Sequence, residues 1–415
     1  MIEGKIIKFY REKAGLTQGQ LAENICSVTH LSKIERGITE YSKEIIFFLS
    51  GKLHIDMNTE LDRYQKLHTH LDLWQDSLIS QRNQEADSIK AEIDKEELIQ
   101  LPDFKIYYTL LLARYYLSRN QLDKALEQIN WLQKNETSFS SHDRNMLKHV
   151  LGIYYFLTYQ FRDCIEVLKS IDQTQYNQLE YYYHLAIAYH SINSNIIAYY
   201  YAEKVLHYFQ KTLNVYRIID TEMIKLIQLN SRELYDFEET IERYHQLINM
   251  CDACHAIERK AKLYHNLAFE HFRRKKFIEA SELYLKSIDL VNHQSPQYLD
   301  SLNEYIHTCT KGNLLSKDQL LKLAKKGLKL AKTAKSHSWI NFQLRIHELN
   351  EKNDNYYRFI EKTALPFFEK NGIIMLTEHY EKKLFNYYNE NGDIEKAMNI
   401  ANSHILGRKS FYYYE

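Results

Sequence analysis

Residues 151–168, LGIYYFLTYQFRDCIEVL, and residues 185–202, LAIAYHSINSNIIAYYYA, follow one rule. A large apolar residue is followed by a small one, an aromatic stands three further on, and a small residue comes nine beyond that. Leu151, Gly152, Tyr155, Cys164 and Leu168 obey it. So do Leu185, Ala186, Tyr189, Ala198 and Ala202. The interval from Gly152 to Ala186 is 34 residues, which suits a hairpin of two helices that returns in a fixed phase. Leu112, Ala113, Tyr116 and Ala125, with Ile129 continuing the face, give a unit upstream. Leu267, Ala268, His271, Ala280 and Tyr284 give one downstream, and Leu384, Phe385, Tyr388, Ala397 and Ala401 another, with Phe385 in the small position.

A helical hairpin of about 34 residues with small residues at fixed offsets is a tetratricopeptide unit. The gaps between units leave room for degenerate copies at Ile218–Asn249, Tyr298–Leu330 and Trp339–Phe368. A helical pair with Leu67, Leu71, Trp74 and Leu78 on one face precedes Asp103. The expectation is an all-α chain of about nine repeats. Each hairpin hides its apolar face only against its neighbours, so the array is expected to curl into a right-handed superhelix with a concave inner wall. Ser316 to Ala331, with five lysines, reads as a solvated helix face.

Composition agrees. The chain has 415 residues, too many for one compact core, and only 3 prolines and 11 glycines, so helix breakers and hairpin-turn signals are scarce. Its 34 tyrosines suit helices packed through large amphipathic rings, or equally a ligand groove. Lys plus Arg and Asp plus Glu are equal at 54 each. Bulk charge therefore supplies no pull toward nucleic acid. Five scattered cysteines suggest reduced thiols and not a disulfide framework. With no leader-like stretch and no apolar run of membrane-spanning length, a cytoplasmic location away from membranes is expected.

Working back toward the N-terminus, residues 16–37, LTQGQLAENICSVTHLSKIERG, break from the repeat pattern. They read as two short helices joined by a tight turn. Thr17 caps the first, with Leu21 and Ala22 inward; Ser27 caps the second, with Leu31 and Ile34 inward. A helix–turn–helix places its second helix in the DNA major groove. Gln18 is then expected to donate to a phosphate, Val28, Thr29 and Lys33 to face base edges, and Arg36 to lie by the flanking phosphates. Thr17, Ser27 and His30 complete the expected DNA-facing set. Residues 2–14 are expected to form a preceding helix, with Ile6, Ile7 and Tyr10 inward and Lys5, Lys8 and Arg11 outward. Ser42–Leu53 should close a small core through Ile45, Ile46, Phe48 and Leu49. The expected division is a DNA-binding domain over 1–56, a linker and start of a connecting helix over 57–66, with the hinge at Asp56 to Thr59, and repeats over 67–415. Residues 1–56 carry only one more basic than acidic side chain, so DNA affinity must come from placed contacts and two copies acting together.

The run L-T-Q-x-x-L-A followed by S-x-x-x-L-S-K-I-E-R-G resembles the phage-repressor (XRE) type of helix–turn–helix. The turn Asn24-Ile25-Cys26 is one residue shorter than the commonest form, so the recognition helix is counted back from Ile34; Cys26 then falls at a buried position. This shortening, with the repeats, resembles the peptide-pheromone receptors of the Rap/Rgg/NprR/PlcR/PrgX superfamily, and NprR-like members most closely. The resemblance implies a quorum-sensing transcription regulator that pairs as a homodimer, or a tetramer with peptide. It binds a double-stranded operator and is switched by a short signalling oligopeptide held on the concave wall. It also implies the alternative, Rap-like sequestration of a response regulator.

Counting along each first helix places positions five, six and nine on that wall. They fall on Arg114; Tyr183 and His184; His265, Asn266 and Phe269; and Lys382, Lys383 and Asn386. Asn303 and Asn341 are expected to point the same way from degenerate repeats. Asparagine offers a donor and an acceptor to a peptide backbone, and Arg114, Lys382 and Lys383 suit a carboxylate. Nucleotide and zinc-hydrolase motifs are missing. Cys251-Asp252-Ala253-Cys254-His255 spells a haem-attachment motif but is read as repeat residues matching by chance. No catalytic residue, metal or cofactor is expected, and no enzyme.

Overall fold

A computed structural model describes residues 2–231, 236–350 and 354–402, and among these every regular element is helical. The chain divides into two compact units, residues 1–157 with 170–177, and residues 158–169 with 178–415. In the first unit α1 (Ile2–Lys13), α2 (Gln18–Ala22), α3 (Val28–Glu35) and α4 (Lys43–Lys52) make a small head. They are followed by α5 (Met57–Ile79), α6 (Asn83–Ile93), α7 (Pro102–Ser118), α8 (Leu122–Lys134) and α9 (Ser141–Leu157). The second unit holds α10 (Phe161–Lys169), α11 (Tyr181–Ser191), α12 (Asn195–Lys211), α13 (Val215–Ser231) and α14 (Phe237–Ala253). It continues with α15 (Ile257–Arg273), α16 (Phe277–Asp289), α17 (Pro296–Lys311) and α18 (Lys317–Thr333). After α19 (Trp339–Leu349) comes α20 (Asp354–Phe359), joined through a π turn at Ile360–Ala364 to α21 (Leu365–Lys370). Then come α22 (Ile374–Glu390) and a last helix over 394–402. From α5 onward, among the described residues, the helices succeed each other two by two in nine pairs, the number the repeat spacing predicts.

The head is built as its sequence dictates. Ile7, Leu21, Ala22, Leu31, Ile34, Ile46 and Leu49 form its core. Gly4 is required in α1 because a Cβ there would stand 2.1 Å from the Ile34 carbonyl oxygen of α3. Three expectations change here. Phe48, predicted inside, is 57% exposed, and Phe47 beside it 74%; the core is already closed by Ile46 and Leu49, one face of α4. Arg11, predicted outward, is buried against Glu35. The hinge residues are instead a cap and first turn: Asp56 accepts the Thr59 backbone N–H at the start of α5, and Met57 packs on the head core.

Polar contacts then fasten the head to the helices that follow it in the first unit. The Tyr10 hydroxyl donates to Glu60 at 2.7 Å, and Arg63 bridges Tyr10, Glu60 and Glu96. Lys5 pairs with Asp103 at 2.5 Å, and Lys13 pairs with Glu97.

In the second unit the repeat signature explains the packing. Ala186, Ala202 and Ile224 meet where α11, α12 and α13 converge, and Ala198, Ala268 and Ala280 are fully buried. Gly327 plays the same part in α18, for a Cβ would fall 2.2 Å from the buried ring of Phe342. The lysine-rich helix is capped by a reciprocal Ser316–Gln319 box. It buries only Leu320, Ala324, Gly327 and Ala331 and turns its lysines to solvent, as its sequence indicates. Cys251 of the C-x-x-C-H run packs into the core shared by α13, α14 and α15. Burial there pushes its thiol up to about 12, as it would for any thiol among apolar neighbours.

Candidate functional sites

The recognition surface of the head begins with two caps. Thr17 accepts from Gln20 N–H in a full capping box, and Ser27 accepts from His30 N–H. These caps set the start, and hence the rotation, of α2 and α3. With Leu31 and Ile34 inward, α3 turns Val28, Thr29, Lys33 and Arg36 to solvent, and His30 is half-buried. Arg36 is steadied by donating from Nε to the Ser32 carbonyl at 3.1 Å.

Behind this surface lies a buried clasp. Glu35 accepts from Arg11 Nε at 2.6 Å and Nη2 at 2.9 Å, and Arg11 Nη1 donates to the Leu16 carbonyl at 2.9 Å. A bidentate pair of this kind is directional as well as strong. Gln18 also donates to Glu35, at 2.8 Å. One of its amide hydrogens, predicted to face a phosphate, is therefore held across to α3. The clasp ties α1, α2 and α3 into one rigid piece.

The second unit presents another surface. Its first helices touch in succession, α11 to α13, α13 to α15, α15 to α17 and α17 to α19, whereas α12, α14, α16 and α18 have no comparable contact with one another among the described residues. A two-layer stack that is tighter in one layer curves toward it, so the first helices form the inner layer of this unit. Two polar ladders run along that layer. In the first, Arg217 on α13 donates to Glu180 at 2.7 Å and lies 4.3 Å over the Tyr183 ring. Asp220, one turn on, takes both Arg259 nitrogens of α15 at 2.9 Å. In the second, Arg345 on α19 reaches Asn303, Glu304 and His307 on α17, and pairs with Glu348 at 2.8 Å. Glu348 in turn accepts from Lys383 of α22 at 2.9 Å. Burial and then Arg345 push His307 down to about 3, so its neutral ring accepts from the guanidinium. His265 is lowered to about 4 by burial and shares a 2.9 Å hydrogen bond with the Ser301 hydroxyl.

The residues expected to meet a peptide are distributed unevenly across this picture. Tyr183, Asn303 and Lys383 belong to the ladders. Lys383, predicted as a spare cation, already serves Glu348, and Asn303, predicted as a backbone clamp, serves Glu304 and Arg345. Asn266 and Asn341 are half-buried; Phe269, Lys382 and Asn386 are exposed. His184 is buried, as is Arg114 in the first unit at 5% exposure. Side chains on a tightly packed layer meet opposite charges on the next helix before any ligand, which is why Lys383 is engaged by Glu348. Arg217, Asp220, Arg259, Arg345 and Glu348 escaped the sequence reading. Their signal was an acid and a base three apart on one helix, answered on the next.

Residues 7–58 match the family described as Helix-turn-helix. The chain is similar to the transcriptional activator NprA of Geobacillus stearothermophilus, 22% identical over 387 residues, which cover 89% of this chain and 94% of that protein. Among solved structures it resembles the apo form of the quorum sensor NprR from B. thuringiensis, with TM-score 0.62 and 19% identity over 82% of this chain and 98% of that one. NprR in complex with its cognate peptide NprX gives 0.67 and 20%, with the same coverage. A Rap protein complexed with competence and sporulation factor gives 0.69 and 17% over 83% of this chain and 98% of that one. These structural likenesses are of fold.

Proposed function

We propose that this chain, an NprR-like member of the peptide-pheromone receptor superfamily, is a peptide-switched transcription regulator and not an enzyme. The observation that carries the reading is the exposed stripe of Val28, Thr29, Lys33 and Arg36 on a helix that is capped, clasped and buried along its Leu31, Ile34 and Glu35 face. A helix held so rigidly with a polar outer edge suits insertion into the major groove. We take the boundary of the DNA-reading part to lie near residue 56, since the head core closes there. The cell compartment is taken to be the cytoplasm, where DNA and an imported peptide are both at hand.

The switch follows from the inner layer. A peptide laid along it touches several first helices at once and competes for the hydrogen-bonding groups that now link them, so its binding favours one spacing of those helices over another. Phe269, Asn266, Asn341, Lys382 and Asn386 are the side chains of the expected set left free enough to contact it. Two chains acting together then read two half-sites about one helical turn apart. Sequestration of a response regulator is the second reading, favoured by the likeness to a Rap protein; the head distinguishes the two.

The test is operator selection from random duplex DNA, followed by binding assays on the full chain. Thr29→Ala with Lys33→Ala is expected to lower affinity for the selected site by at least tenfold, since each lost base contact costs about 1–3 kcal/mol. Unchanged binding by the double variant would discard the DNA-reading role of α3.

A further inference from the structure

Residues 317–335 carry seven lysines and a single acid, Asp318, in a chain whose charges balance overall. All but Lys335 of these lysines lie on α18, a helix of the outer layer of the second unit. The two outer helices before it differ. α14 sets Glu238, Glu239, Glu242 and Asp252 against Arg243, and α16 sets Glu279, Glu282 and Asp289 against Lys286. On α18, Lys322, Lys325, Lys326, Lys329 and Lys332 are exposed, at spacings of three and four that set them along one side of the helix. Among the described residues none of the five forms an ion pair. Like charges therefore stand side by side, at a small cost that an anionic partner removes. The last turn of α18 is flanked by two clefts. One, of roughly 560 Å³, lies between Leu330 and the α16–α17 turn at Val291 and His293. The other, of roughly 450 Å³, lies between Ala331, Lys335 and Trp339. Val291, Leu330 and Trp339 are half-buried, so each cleft offers apolar surface beside the lysines.

We propose that this outer face of α18 is a docking surface for a partner protein, and that the partner presents an acidic amphipathic helix. Its carboxylates meet the lysine row, and its apolar side chains enter the two clefts at the row's end. The clefts decide against other polyanions. Duplex DNA would engage the lysines through its phosphates and leave both clefts empty. A bilayer would need the apolar side of α18, but Leu320, Ala324, Gly327 and Ala331 are buried within the fold. The surface belongs to the outer layer, so it is separate from the inner wall and from α3, and it does not rest on the function proposed above.

The experiment uses the full chain and a fluorescent peptide of about four helical turns, with leucines recurring on one face and glutamates elsewhere. Two companion peptides replace every glutamate by lysine, or every leucine by serine. Binding is read by fluorescence anisotropy at low ionic strength, where exposed charges are least screened. The acidic peptide is expected to bind, the serine companion about tenfold more weakly, and the lysine companion not at all. Lys325→Glu with Lys329→Glu and Lys332→Glu is expected to weaken the acidic peptide by about tenfold or more and to gain the lysine companion. A misfolded variant would not show that reversal. The same change at Lys66, Lys134 and Lys169, exposed lysines of other helices, is expected to leave binding intact. Unchanged binding by the α18 variant overturns the site, and equal weakening by both triple variants reduces the effect to bulk charge and overturns it too. A serine companion that binds as well as the acidic peptide removes the clefts from the proposal and sinks it. Random-sequence duplex or phosphatidylserine vesicles held through the same three lysines, with no binding of the acidic peptide, would put another partner in its place.

Discussion

Gly327 shows how little room the repeats leave at single positions. A methyl group there would meet the Phe342 ring at 2.2 Å, and Phe342 is fully buried and cannot retreat. Gly327→Ala is expected to lower stability by about 1–3 kcal/mol, the usual range for overpacking, read as a reduced urea midpoint at unchanged slope. Adding Phe342→Leu should restore part of the loss, which a mere helix-propensity effect would not allow. The small positions of the repeat signature, such as Ala113 and Ala186, were readable in sequence because close helix packing constrains size wherever it occurs. Arg217 and Arg345 were not, because their partners come from helices far away in the chain. Arg11 was missed for a similar reason: on its own helix it occupies an outer edge, and only Glu35 turns it inward.

At the scale of elements, the turns between helices deserve comparison with the composition. Eleven glycines are too few to end so many helices. The structure ends them with other residues in the left-handed region, among them Asn120, Asn193, Leu213, Lys275 and Lys335. Asparagine bears this conformation readily, but a leucine pays roughly 1–2 kcal/mol for it. Leu213 has φ +51° and is 81% exposed, so its side chain returns little by packing. Leu213→Gly is expected to raise stability by about 0.5 kcal/mol once the extra freedom of glycine in the unfolded chain is subtracted, measurable as a higher melting temperature. A drop would mean that the leucine makes a contact worth more than its strain. Helix pairs were legible from periodicity, but their ends were not, since residues such as Leu213 and Lys275 that take the left-handed conformation carry no turn signal in sequence.

For the whole molecule, the ion ladders tie stability to pH. Burial alone would raise the Glu348 carboxyl, but Arg345 and Lys383 outweigh it and hold it at about 2. A carboxyl whose folded pKa lies below its unfolded value stabilises the fold above the unfolded pKa and loses that contribution as pH falls toward the folded one. The window here runs from about 4.5 down to about 2. The contribution at neutral pH is of order 3 kcal/mol. Wild type should therefore lose stability from pH 7 to pH 3 more steeply than Glu348→Gln, as judged by denaturant titration at each pH. Parallel curves would show that the pair is not coupled to folding.

The contacts by which Tyr10, Lys5, Lys13 and Arg63 hold the head against the helices that follow it in the first unit have a mechanical meaning. A reading head on a slack tether would swivel to suit any target, and whatever the arm sensed would be lost on the way. Bolted down at several points, it behaves as the tip of a lever. On the proposed function, a tilt of the helices beneath it would reappear as a change in where the tip comes to rest on the duplex.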